Sequence, residues 1–399
     1  MSVARTGVDI VVAGHICLDV IPTIHELKDG MGALLVPGKL VDIGAARIST
    51  GGAVSNTGLA LHRLGMSTKL MGKIGDDLFG SAIGSVLRGY GDELADGMIV
   101  ASGEYTSYTI VINPPNIDRI FLHCTGANDT FAAADLQAEQ LEEARLFHFG
   151  YPPLMRRMYE NDGEELANLL SLAKGQGLTV SLDLAKPDPS TPAGQADWRM
   201  IFVKALPYVD VFLPSFEEIL YMLKRDLYEE LAAKHGSDLL PLAEGPLLRE
   251  LAGELLDMGA AIVVLKLGEH GLYLRTTDDA ERMAALGKGA PASAEAWRNR
   301  ELLAPCFAVD VAGTTGAGDC TIAGFLAGLL KGLEPEEALI GAVAVGACNV
   351  ERADATSGVP SWEAVQARIA AGWSKRSVEL ALPGWTEGSA GLWIGPGEV

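Results

Sequence analysis

Positive charge is scarce in this 399-residue chain: 31 Lys and Arg stand against 52 Asp and Glu, a formal net charge of −21. A nucleic-acid footprint needs a basic patch, so no nucleic-acid partner is expected. A local nest of backbone N–H groups can still bind an anion inside an acidic protein. Long apolar runs are also missing. No stretch offers the roughly 18–20 uninterrupted apolar residues of a membrane span, so no membrane partner is expected. The opening segment "MSVARTGVDIVVAGHICLDVIP" has an apolar run of strand length, broken by His15 and Asp19, and lacks the longer core of a signal peptide. Cysteine is sparse: Cys17, Cys124, Cys306, Cys320 and Cys348 are odd in number and show no C-x-x-C spacing. That argues against a disulfide framework or a structural zinc site and fits a reducing, cytoplasmic location.

What is present is core material, with 48% of residues hydrophobic. The length suits one large α/β domain with an accessory element, or two domains. Continuous apolar runs at Val8 to Gly14, Leu178 to Leu184, Val209 to Ser215 and Ala260 to Gly268 read as strands buried on both faces. Helical periodicity falls between them, at Ser55 to Leu64, Glu164 to Lys174, Ser215 to Leu223 and Leu247 to Met258. The alternation predicts a parallel sheet with helices on both faces, whose ligands bind beyond the carboxyl ends of the strands. Asp183, Ser215 and Gly268 fall at or just after such ends. Residues 16–48 and 102–124 break the rhythm with short alternating strands and a Pro-Pro-Asn turn, and predict a small antiparallel sheet acting as a lid. The main domain is expected over residues 1–374. Residues 225–246 and 276–303 read as surface insertions, and the tail 375–399 carries no periodicity.

The stretch "GTTGAGDCTIAGFLAGLL", Gly313 to Leu330, holds the sharpest local signal. Its G-x-x-x-x-G spacing lacks the Lys and Ser/Thr of a phosphate loop, and its glycine order reverses that of a dinucleotide fingerprint. What remains is a Gly-Ala-Gly turn opening an apolar helix. Small residues leave the first N–H groups uncovered, and with the helix dipole they make an anion site. Asp319, in that first turn, reads either as a helix cap or as a base that takes a proton from a hydroxyl.

Taken together and in order, "GGAVSN", "RLG", "KIGDDLFG", "LKLGEHG" and "TTGAGD" make the chain resemble the ribokinase-like, or PfkB, carbohydrate kinases over roughly residues 8–370. The resemblance implies a three-layer α/β/α sandwich with a mostly parallel central sheet and a small β-sheet lid. It implies ATP-dependent phosphorylation of a sugar or sugar-like alcohol, with a homodimer through the lid among the assemblies allowed. By resemblance, Asp319 would be the general base and the Gly316, Ala317 and Gly318 N–H groups the anion hole. Asp19, Gly51, Gly52, Asn56 and Asn128 would contact the sugar, the glycine pair acting as hinge. Ser215, Lys266, Gly268, Gly271 and Asn349 would hold the nucleotide, and Glu218 would organise Mg²⁺ through water. Two departures matter. Relatives begin the last motif with Asp where this chain has Gly313, which puts potassium activation in doubt, and "SFEE" replaces the Asn of an Asn-x-x-Glu motif with Ser215. A nucleoside kinase of the same fold, or a non-catalytic sugar or nucleotide sensor, are the alternatives. The intact Asp319 speaks against the sensor.

Overall fold

The computed structural model describes residues 7–24, 32, 36–114, 120–236 and 238–396. Its main sheet has eleven strands in the order β14-β15-β13-β12-β11-β10-β9-β8-β1-β4-β5. In chain order they are β1 Ile10–Gly14, β4 Thr68–Gly75, β5 Ile99–Ala101, β8 Leu146–Gly150, β9 Thr179–Asp183, β10 Val211–Phe212, β11 Ile262–Lys266, β12 Leu272–Thr276, β13 Glu301–Ala304, β14 Thr386–Glu387 and β15 Trp393–Ile394. From β11 to β5 every pairing is parallel; from β11 outward to β14 every one is antiparallel. The period-2 geometry of a strand explains the layers. On β1, Ile10 and Val12 pack into one core with helices Ala53–Arg63, Ala317–Leu330 and Pro335–Val350, while Val11 and Ala13 pack into the other with helices Glu164–Gly175, Phe216–Leu223 and Gly245–Asp257. Neither face of the central strands meets water, which is why they read as continuous apolar runs. Among the described residues no helix is long and apolar enough to cross a membrane.

The lid is a separate sheet, ordered β3-β2-β6-β7, of β2 Cys17–Pro22, β3 Ala46–Gly51, β6 Tyr108–Ile112 and β7 Ile120–Cys124. It is mixed rather than antiparallel as the sequence suggests, because its central pair, β2 and β6, runs parallel. The reason lies in the main sheet. β2 continues from the carboxyl end of β1 and β6 follows β5, and β1 and β5 point the same way. Two excursions leaving one edge in one direction pair in parallel when they meet. Pro115 and Asn116 of the expected turn lie outside the described residues.

Two further segments do more than the sequence shows. Residues 276–303, expected as a surface insertion, include the start of β13, whose four residues are all buried, and Trp297, packed edge-on to Phe325. Glu301 disguises that strand: its carboxylate is buried, but Arg249 Nε donates to it at 3.1 Å and Tyr273 OH at 3.0 Å. In the other expected insertion, Arg225–His235 forms a helix with no fully buried residue. The tail pairs its β15 with β13, Leu302 opposite Ile394 and Leu303 opposite Trp393. It thereby covers an edge that would otherwise present unpaired backbone groups.

Trp385 anchors this tail, its ring 6.0 Å from that of Tyr273 and its indole against Gly245. Trp385→Ala is expected to lower the unfolding free energy by about 3 kcal/mol, the usual scale for deleting a buried aromatic. A urea titration with an unchanged midpoint would mean that the tail lies on the sheet without stabilising it.

Candidate active site

The carboxyl ends of β8, β9 and β11 deliver Tyr151, Asp183 and Lys266 to one place, and the helix Ala317–Leu330 starts over them. Gly316 caps this helix at φ 69°, with Ala355 O only 2.5 Å from where a Cβ would sit, so no other residue fits the turn. Three donors converge on Asp319, which is 4% exposed. Tyr151 OH lies 2.7 Å from Oδ1, Thr57 Oγ1 3.3 Å from Oδ1, and Asn56 Nδ2 3.1 Å from Oδ2. Burial raises the Asp319 carboxyl above its usual value, against the pull of Tyr151, of the Lys266 charge and of Asn56 and Thr57. An N-terminal cap turns its carboxylate back onto the helix N–H groups. Asp319 instead points its oxygens at side chains from two other elements.

Behind it lies a knot of charge. Lys266 Nζ is 2.5 Å from Asp183 Oδ1. Burial alone would lower Lys266, but Asp183, Glu218 and Asp319 outweigh it and hold the ammonium above its usual value. Asp183 is pushed up to about 8 by burial, against Lys266 and with the repulsion of Glu218 and Asp319. Glu218 closes a capping box: Ser215 N–H donates to its Oε2 at 2.6 Å, and Ser215 Oγ accepts from Glu218 N–H at 3.2 Å. The Lys266 stem passes over Gly318, 3.5 Å from where a Cβ would sit. On the far side opens a cleft of about 340 Å³, lined by Gly268, Gly271, Ala317, Gly318, Val343 and Arg376 among others.

The lid supplies the opposite wall. Asp19 lies in β2 beside Gly51, whose Cβ would come 2.5 Å from Asp19 Oδ2. Gly52 stands at φ 88°, where a Cβ would strike His15. Burial raises the Asp19 carboxyl to about 6, against hydrogen bonds from Cys17 and Thr109.

The structure thus brings Asp319, Asn56, Gly318 and Lys266 into one network, with Gly268 and Gly271 on the cleft and Asp19, Gly51 and Gly52 on the lid side. Three expected residues are engaged elsewhere. Ala317 N–H is turned onto Thr314 O at 3.2 Å, which takes one donor out of the expected anion hole. Asn128 is fully buried and spends its amide on Ile16, donating to the carbonyl at 2.9 Å and accepting from the N–H at 3.3 Å. Asn349 is fully buried behind the cleft and donates to Thr315 O at 3.0 Å, fixing the glycine turn from behind. Gly313 is walled in: a Cβ there would come 2.9 Å from Ala353 Cα, so the Asp of relatives has no room without displacement. Sequence reading missed Thr57, His15 and Tyr151. The signal for Tyr151 is "GYPP" directly after a buried strand, which sets the tyrosine at φ 67°.

A parallel α/β sandwich with a lid, and a buried carboxylate at a glycine-capped helix start between lid and cleft, define a group-transfer enzyme acting on a small molecule. Comparison with known proteins agrees. The family model "pfkB family carbohydrate kinase" matches residues 8–362, and the chain belongs to that family, a family of phosphotransferases. A probable fructokinase-6 of Arabidopsis thaliana, described as chloroplastic, is 25% identical over 365 residues, covering 89% of this chain and 81% of that protein. A nucleoside kinase of Methanothermobacter thermautotrophicus is 24% identical, covering 92% and 96%. The structure of Arabidopsis thaliana ribokinase complexed with ribose and ATP matches at a TM-score of 0.66 and 18% identity, covering 91% and 98%.

The Lys266–Asp183 pair makes a stability test independent of turnover. Lys266→Met leaves a buried carboxylate without its cation and is expected to cost about 3–5 kcal/mol. Adding Asp183→Asn is expected to recover part of that loss in the same denaturation experiment. A double variant no more stable than Lys266→Met would show that the two groups are not coupled.

Proposed function

We propose that the enzyme transfers the γ-phosphoryl group of ATP to a hydroxyl of a sugar or sugar-like acceptor, with Asp319 as the general base. The observation that carries this reading is the place of Asp319: buried, fixed by Tyr151, Asn56 and Thr57, and located where cleft and lid side meet. Asp319 takes the proton as the acceptor oxygen attacks the phosphorus. The N–H groups of Gly316 and Gly318 and the Lys266 ammonium stabilise charge on the transferring group. Asp19 accepts hydrogen bonds from acceptor hydroxyls. Lid closure about Gly51 and Gly52 excludes water, the competing phosphoryl acceptor.

The donor set behind the cleft fits Mg²⁺, an ion held by one or two carboxylates together with substrate phosphates. Glu218 and Asp183 are the carboxylates that would hold it, directly or through water. Mg²⁺, when bound, neutralises the charge that the protein alone offsets poorly in phosphoryl transfer. No strong potassium response is proposed, because Gly313 offers no ligand and no room for one. A nucleoside acceptor is the second reading. It is favoured by the ring cluster of His123, His15 and Tyr151 beside the lid, with centroids 5.2 and 6.1 Å apart, of which His123 is the exposed member. An ATP-consumption screen across sugars, ketosugar acids and nucleosides separates the two.

Asp319→Asn is expected to lower kcat by about 10²–10⁴-fold with little change in acceptor KM, the span of general-base catalysis. Near wild-type turnover would return Asp319 to a structural role. A pH series tests Asp19. Above pH 6 its carboxylate is ionised and accepts; as pH falls through about 6 it takes a proton. Acceptor KM is therefore expected to rise by up to about tenfold per pH unit below that point. In Asp19→Asn this inflection is absent; if the variant keeps it, another group is responsible.

A further inference from the structure

Three metal-ligating side chains outside the Asp319 network meet under the lid. His15 follows β1, Cys17 opens β2 and His123 lies in β7, so the topology gathers donors from over one hundred residues of chain. One ligand atom from each lies within 4.8 Å of the other two. His15 Nε2 and His123 Nε2 are 3.3 Å apart. In a tetrahedral site with metal–nitrogen bonds of about 2.0–2.1 Å, the edge between two nitrogens is about 3.3–3.4 Å. The pair is therefore spaced for one ion.

The surroundings hold the rings in place. His123 Nδ1 is 3.0 Å from Thr109 Oγ1, the kind of outer partner that fixes a ligating imidazole's tautomer. His15 is 2% exposed, and Gly52, at φ 88°, leaves the space its ring occupies. His15 Nδ1 is buried without a hydrogen-bond partner, and its Nε2 faces His123 Nε2 at 3.3 Å. Burial drives His15 down to about 3, with His123 adding to the shift, and burial also lowers His123 against the pull of Asp129. The Cys17 thiol is raised well above its usual value by burial and by Asp19. Coordination of an ion there would break the S–H bond and form a sulfur–metal bond, the proton leaving to solvent by way of Asp19, whose Oδ1 is 3.4 Å from Sγ.

We propose that His15, Cys17 and His123 form a binding site for a borderline-soft divalent transition-metal ion such as Zn²⁺, with the fourth position open toward the acceptor side. Two nitrogens and a thiolate select against the oxygen-seeking Mg²⁺ of phosphoryl transfer, so the two ions do not compete for one place. An ion here sits beside Asp19 and Gly51. Its occupancy therefore opposes acceptor binding.

Co²⁺ titration of the full chain, freed of metal by a chelator and followed by visible and near-ultraviolet absorption, tests this without any turnover. Failure of the kinase reading therefore leaves this test intact. Wild type is expected to saturate at one ion per chain, with tetrahedral d–d bands and a thiolate-to-cobalt charge-transfer band, and excess Zn²⁺ is expected to abolish both. Cys17→Ser is expected to lose the charge-transfer band while keeping d–d absorption, which also shows that it folds. His123→Ala, on an exposed lid strand, is expected to weaken binding by at least about tenfold. A charge-transfer band that survives Cys17→Ser, unchanged affinity in His123→Ala, or no saturable binding in wild type would each overturn the proposal.

Discussion

A single buried carboxylate sets the terms for the site. Asp319 sits where water is excluded, so it must be stabilised by fixed dipoles or give up its charge. The structure supplies those dipoles from three distant parts of the chain. Asn56 and Thr57 come from the first long helix, Tyr151 from the end of a central strand, and the helix start that carries Asp319 adds its own dipole. The Tyr151 contact has a structural cost. A tyrosine at φ 67° is strained by roughly 1–3 kcal/mol, and strain of that kind persists only where the surroundings over-determine it. Here the surroundings are the close registers of β1, β8 and β9. Gly14 and Gly150 approach so nearly that a Cβ on the former would come 2.4 Å from the latter's carbonyl oxygen.

How much of this was legible in the sequence follows from what each signal depends on. Strands buried on both faces announce themselves as apolar runs, and β1, β9 and β11 stand inside the runs that predict them. Asp319 was legible because a glycine turn before an apolar helix is a local pattern. Direction of pairing is not local. The parallel contact of β2 with β6 follows from where two distant strands end, and nothing within either lid segment encodes it. Strand β13 was hidden by Glu301, since a charge reads as surface until Arg249 and Tyr273 are known to meet it.

The same logic separates residues that look functional from those that support function. Asn128 and Asn349 are both amides near glycine-rich turns. Asn128 spends donor and acceptor on the backbone of Ile16 at the start of the lid. Asn349 donates to the Thr315 carbonyl behind the helix start and keeps its Oδ1 buried without a partner. An amide whose N–H is committed to a carbonyl inside the protein holds a loop in shape. Sequence places the residue type, but only geometry shows which way its dipole is spent. Cys17 presents the reverse case. It has no spacing motif in its favour, yet folding sets it within reach of two imidazoles, one from the link before its own strand and one from β7.

Charge near the cleft gives the proposed chemistry its order. Asp183, Glu218 and Asp319 all act on Lys266, one ammonium among three carboxylates. Burial and the repulsion of Glu218 and Asp319 raise the Asp183 carboxyl against the pull of Lys266, so the cluster carries its negative charge at a cost. A bare nucleoside triphosphate would add more negative charge to that surplus. On the proposed reading, Glu218 and Asp183 would hold a divalent ion that supplies charge neutralisation there, and Lys266 would be left to follow the transferring group. On the same proposal Asp319 would keep its basicity through this exchange, because its three hydrogen bonds come from neutral groups, Tyr151, Asn56 and Thr57. In that proposal the base is prepared before the nucleotide arrives, and the phosphate side would be completed only when metal and nucleotide bind together.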